Sequence, residues 1–134
     1  AMRTTISIAA VIAFFAFNPA FADVDLIRVD FDAEACPVSV ENDEDSCPQP
    51  APGRACRRAG QPIIWQAAPG SNRAQFTIEP KGANPIVGCS MTSTPGGVLN
   101  CRISTDVAVD ESYEYGISNA ATGCALDPQI FIIR

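Results

Sequence analysis

Polar and apolar residues alternate along most of this chain with a period of two. In VDLIRVDFD (24–32), Ile27, Val29 and Phe31 alternate with Arg28, Asp30 and Asp32, the mark of a half-buried strand. Cys36, Val38 and Val40 form a second short alternation. PIIWQA (62–67) sets Ile63, Trp65 and Ala67 on one face, and AQFTIE (74–79) sets Phe76 and Ile78 opposite Gln75, Thr77 and Glu79. Ile86 and Val87 begin a short strand leading to Cys89, and Leu99, Cys101 and Ile103 alternate with Asn100, Arg102 and Ser104. Tyr113, Tyr115 and Ile117 come next, then a loop, then Ile130 and Ile132. Turn residues stand between these runs, at Pro69–Asn72, Pro80–Pro85 and Thr94–Gly97. No window has helical spacing, and the 11 prolines disfavour long helices. Seven or eight strands at roughly 8–12-residue spacing predict an all-β fold, an antiparallel β-sandwich or small Greek-key barrel.

One stretch breaks the pattern. ENDEDSCPQPAPGRACRRAG (41–60) has no apolar periodicity and is rich in proline and charge. It reads as a loop of about 20 residues, a length uncommon in a compact domain unless the loop is functional or tied down. Cys47 and Cys56 lie inside it and are placed to tie it.

The N-terminus has a different character. Met2 and Arg3 precede an apolar run from Ile6 to Phe17 broken only by Ser7, and Asn18-Pro19 and Ala20-Phe21-Ala22 follow. A positive start, a short apolar stretch and a small-x-small site make the layout of a secretory signal peptide over residues 1–22. The run is shorter than the roughly 20 residues of a membrane span. The expected mature chain, 23–134, has the length of a single domain. Removing Arg3 takes the nine basic residues to eight against 15 acidic ones, a net charge of −7. That excess argues against nucleic acid, which needs a basic face, and against docking on anionic lipid.

Six cysteines, Cys36, Cys47, Cys56, Cys89, Cys101 and Cys124, all lie in the expected mature part. An even number on a short exported chain implies a disulfide framework. A zinc site is disfavoured, because there is no C-x-x-C pair and no histidine. Cys89 and Cys101 flank the Gly96-Gly97 turn, so a hairpin brings them together. Cys47–Cys56 is the next most local pairing and leaves Cys36 with Cys124, although six cysteines allow 15 pairings.

Without histidine, Ser-His-Asp and Cys-His nucleophilic sites and histidine-ligated metal hydrolases are excluded. No Gly-rich phosphate loop opens a helix. Paired carboxylates remain, but a glycosidase cleft needs more aromatics than this chain carries. We therefore expect no catalytic residues, no cofactor and no metal. Trp65, Phe76, Tyr113, Tyr115, Ile130 and Ile132 read as core, with a tyrosine hydroxyl reaching backbone at a sheet edge. Two charged features remain. Asp30, Asp32 and Glu34 alternate as if on one strand face, and Glu41, Asp43, Glu44 and Asp45 crowd one segment. These suit calcium in principle, match no EF-hand spacing, and read first as a solvated face guarding a sheet edge. Arg54, Arg57 and Arg58 form a basic cluster within the 41–60 loop, set to pair with the acidic stretch or to present a rigid, inhibitor-like loop.

The C-terminal third, Y-x-Y-x-I, a loop, then L-D-P-x-I-x-I, resembles the last two strands of cupredoxin-like domains, and Ile63–Trp65 and Phe76–Ile78 resemble earlier strands of such a sandwich. The similarity runs from Ile63 to Arg134 and is closest to small exported bacterial proteins of that type with no assigned function. It implies a fold without its metal chemistry. Ile117 stands near the usual ligand cysteine, and the loop SNAATGCALDP has no histidine or methionine. A blue-copper site needs two histidines and a thiolate. That loop then reads as a turn freed by Gly123, pinned by Cys124 and stiffened by Asp127-Pro128.

The sequence thus points to a disulfide-stapled, cupredoxin-like or immunoglobulin-like sandwich exported to the periplasm or medium. Its expected role is that of a non-catalytic binding or structural accessory module for a protein or envelope component. An inhibitor or effector acting through residues 41–60 and a calcium-dependent module are the alternatives.

Overall fold

Ten strands and no helix make up the described part of the chain, residues 26–42, 47–119 and 121–134 of a computed structural model. The signal peptide expected over 1–22, the beginning of the first predicted strand at Val24, and Asp43–Asp45 lie outside the described residues. The strands are β1 (Leu26–Phe31), β2 (Pro37–Asn42), β3 (Arg54–Arg58), β4 (Pro62–Ala67), β5 (Thr77–Pro80), β6 (Ile86–Val87), β7 (Val98–Ile103), β8 (Ser112–Ser118), β9 (Ala125–Leu126) and β10 (Gln129–Ile133).

They form two sheets. The first runs β2-β1-β4-β7-β6 and the second β3-β10-β8-β5, with β9 also paired to β8. Period-two alternation turns one side of each strand inward, as in Ile27 and Val29, Ile63 and Trp65, and Ile130 and Ile132. These side chains meet in one apolar core between the sheets, which makes the molecule a β-sandwich. Trp65, Phe76, Tyr115, Ile130 and Ile132 are fully buried in it, and Tyr113 packs against it half-buried.

The sheets are not wholly antiparallel. β1 runs parallel to β4, and β3 runs parallel to β10. Strands adjacent in space here are far apart in sequence, so no hairpin forces them to oppose. A second correction concerns 41–60. That stretch holds the end of β2 and all of β3, and the aperiodic loop is correspondingly shorter. Ala55, Cys56 and Arg57 are all buried there, so the arginine-rich strand has no readable alternation. Its pairing with β10 makes it a strand. A third concerns AQFTIE: β5 begins only at Thr77, and Phe76 is held just ahead of it by backbone and hydroxyl bonds to Ser93.

All six cysteines are bonded, as Cys36–Cys124, Cys47–Cys56 and Cys89–Cys101. Three disulfides belong to an oxidising environment. Among the described residues no helix is long and apolar enough to cross a membrane.

Candidate functional site

A sandwich of two open sheets has two lateral seams, and this one treats them differently. On one side the segment after β6 crosses between the sheets. Ile78 N–H donates to Met91 C=O, Ser93 N–H donates to Phe76 C=O, and Thr77 bridges to Thr92. Backbone bonding closes that seam. On the other side lie the terminal strands of both sheets, β2 and β3. They are joined by side chains: the Asn42 amide donates to Arg54 C=O at 2.6 Å.

An apolar trough remains along that second seam. Its deeper part, about 260 Å³, is lined chiefly by Val38, Val40, Pro52, Gly53, Leu126 and Pro128. It continues past Val40, Pro52 and Gly53 into a second depression of about 360 Å³ reaching Pro50, Cys47 and Asn42. The deeper part falls below the roughly 300–1,000 Å³ of small-ligand pockets, and its shape is that of a groove along a strand.

Local chemistry builds each wall. β2 pairs with β1 through Asp30–Ser39 and Phe31–Pro37, so Val38 is an extra residue in a bulge. A bulge re-aims its side chain, and Val38 is 48% exposed beside the groove. Gly53, at φ +75°, forms the floor. A Cβ there would stand 3.6 Å from Pro128 and 3.9 Å from Val40, so the glycine supplies a left-handed turn exactly where two walls converge. Opposite, β9 and β10 lie along one edge of β8, interrupted by Asp127-Pro128. That interruption sets Leu126 and Pro128 facing β2. Lys81 and Asp127 pair on the rim.

The proline-rich floor is clamped. The Cys47–Cys56 bond closes it. Arg54 donates to Gln49 C=O at 2.7 Å and lies over the Phe131 ring at 5.4 Å, a cation–π geometry. The trough is therefore preformed.

The other candidate residues go elsewhere. β1 ends at Phe31, so Asp30, Asp32 and Glu34 do not share a strand face. Asp32 Oδ1 instead accepts from Glu34 N–H and Cys36 N–H, capping the turn into β2. Among the described residues no three metal-ligating side chains converge. Arg54, Arg57 and Arg58 do not form a basic face: Arg57 is only 1% exposed and donates to its own strand at Cys56 C=O, while Arg58 donates to Arg134 C=O. Of the tyrosines, Tyr115 reaches no edge backbone. Its hydroxyl accepts from the Trp65 indole in the core. Burial pushes its phenol well above the usual tyrosine range, with the Trp65 bond and the Arg57 charge pulling the other way. The loop after β8 is a turn around Asn119, which is buried and donates to Ala35 C=O at 2.7 Å next to Cys36–Cys124. Sequence reading singled out the 41–60 stretch, which supplies Pro52 and Gly53, but not the walls at Val38, Val40, Leu126 and Pro128. The proline-rich composition of 48–53 was the available signal.

No protein-family model matches this chain, and no curated protein matches it.

Proposed function

We propose that this protein is a non-catalytic, exported binding module of the periplasm or medium, on a sandwich similar to cupredoxins without their copper ligands. It engages a protein or envelope component through the trough along β2. The observation that carries this reading is a preformed apolar groove beside an exposed, bulged valine on a terminal strand, held by a disulfide, three prolines and a capped arginine. Rigid, ready-made apolar surface lowers the ordering cost of binding.

The inhibitor reading has less support, because Arg54 is folded back onto Gln49 and Phe131. So has the calcium reading, since the Asp32 carboxylate already accepts two backbone donors.

The test uses the oxidised protein, immobilised and exposed to envelope and medium fractions of its own host. Val38→Ser removes the trough's exposed anchor. Val87→Ser, at a comparably exposed valine on β6 (44%), is the control. A partner lost with Val38→Ser and kept with Val87→Ser is the expected result. A partner that ignores both, or is lost with both, rejects the trough as the working surface.

A further inference from the structure

We infer that the Cys36–Cys124 disulfide is a redox latch on the trough. Reduction by an external dithiol frees the two walls and leaves the rest of the sandwich folded. The inference rests on the reading of the trough as the binding surface and names how that surface is regulated.

Position sets this disulfide apart. Cys36 immediately precedes β2, and Cys124 immediately precedes β9. Val38 and Leu126, each two residues further on, belong to opposite walls of the trough. The bond therefore ties one wall to the other where both strands begin. Neither other disulfide does this: Cys47–Cys56 closes the floor, and Cys89 and Cys101 line neither part of the trough. Access separates them too. The other two disulfides each hold a buried cysteine, Cys56 or Cys101, whereas Cys36 and Cys124 are both half-buried. Exchange needs a thiolate to reach a sulfur, so the accessible bond reacts first.

The flanking backbone is set to move once released. Each half-cystine follows a residue in the left-handed region, Ala35 at φ 60° and Gly123 at φ 76°. Alanine takes that conformation at a cost, and such strain persists only where neighbours hold it. A Cβ on Gly123 would meet nothing within 4 Å, so that turn has room. β9 has two residues and two ladder pairs, Ile117–Leu126 and Ser118–Ala125. Without the disulfide, this corner keeps the Asn119 bond to Ala35 C=O. An element held by so few bonds opens locally before the core does.

The exchange has a direction. A thiolate of the dithiol attacks Cys36 Sγ, the S–S bond breaks, and Cys124 leaves with the electron pair and takes up a proton. The second thiol of the dithiol then displaces Cys36, which is protonated in turn. The protein gains two thiols and the dithiol becomes a disulfide. Cys124 is the better leaving group, because the Thr122 hydroxyl lies 2.6 Å from its sulfur and donates to it. Asp32 and Glu34, beside Cys36, disfavour a thiolate there. They also repel an anionic attacker, so the effective dithiol carries no further negative charge. An oxidising setting keeps the latch shut until such a dithiol is presented.

The test treats the oxidised full chain with limiting dithiothreitol, traps thiols with iodoacetamide and maps them by mass spectrometry. Cys36 and Cys124 should be trapped at least about tenfold faster than the other four cysteines. Nitrogen relaxation then compares the oxidised protein with Cys36→Ser/Cys124→Ser. Order parameters over 38–40 and 124–127 should fall from about 0.85 to below about 0.6, while 63–67 and 99–103 stay near 0.85. The serine pair should hold a Val38-dependent host partner about tenfold more weakly. Earlier reduction of another disulfide overturns the latch. So do rigid walls in the serine pair, equal retention of the partner, or a serine pair unfolded throughout, which would make the bond a staple of the whole fold. Each of these leaves the binding module standing as long as a host partner depends on Val38. A host partner indifferent to Val38→Ser, with walls that loosen on reduction, overturns the module and keeps the latch.

Discussion

The indole N–H of Trp65 donates to the hydroxyl of Tyr115 at 3.0 Å, with the rings edge to face and their centroids 5.6 Å apart. Trp65 belongs to β4 and Tyr115 to β8, so this bond crosses the core from one sheet to the other. It satisfies two buried polar groups at once. Tyr115→Phe leaves the indole N–H in the core without its acceptor and should lower unfolding free energy by about 1–3 kcal/mol. Urea unfolding measures it, and an unchanged midpoint would show that the bond contributes nothing.

The same residue sets an alkaline limit. Burial holds the Tyr115 phenol above its ordinary range in the folded protein. The folded state therefore keeps a proton that the unfolded chain gives up near pH ~10. Stability from this group is whole below that pH and is lost as pH rises, by at most about 1.4 kcal/mol per unit. Between about pH 9.5 and 11.5 the wild type should lose stability more steeply than Tyr115→Phe. Parallel slopes would count against the assignment.

The disulfides should rank by the chain they close. Cys36 and Cys124 are 88 residues apart, and Cys47 and Cys56 are 9 apart. Loop entropy alone gives about 4–5 kcal/mol for the first and about 2–3 for the second. Paired serine variants compared by denaturant midpoint should keep that order. A reversed order would mean that the Asn119–Ala35 bond already ties that end of the sandwich.

Gly97 is the turn position least open to change. Its φ is +83°, its C=O accepts from Ala67 N–H, and an added Cβ would lie 2.8 Å from the Ala67 Cβ. Gly97→Ala combines left-handed strain with overpacking against β4, for a loss of about 2–4 kcal/mol. Gly70→Ala is the comparison, since it shares a positive φ but meets nothing within 4 Å. Equal thermal shifts for the two would rule out the clash as the cause.

Alternation is a local property, and what it reports was legible. Ile27, Val29, Trp65, Leu99, Ile103, Ile130 and Ile132 turn inward because neighbouring residues on a strand face opposite ways. The Cys89–Cys101 pairing was legible from its short separation of 12 residues, although the segment between the two cysteines crosses to the other sheet rather than forming a simple hairpin. The Trp65–Tyr115 bond was not legible, because it depends on which strands of the two sheets face each other.

By itself, the sequence determined the all-β class, most of the core and the disulfide-rich character, since strand period and cysteine number need no knowledge of distant neighbours. Only the tertiary structure decided that RACRR is a strand, for Arg57 is buried by what packs around it and β3 exists through its ladder with β10. Only it decided the parallel pairs and the trough. The trough's walls come from 38–40, 52–53 and 126–128. These segments meet because a disulfide, a glycine turn and a proline break bring two sheet edges together, and no local pattern encodes a meeting of that kind.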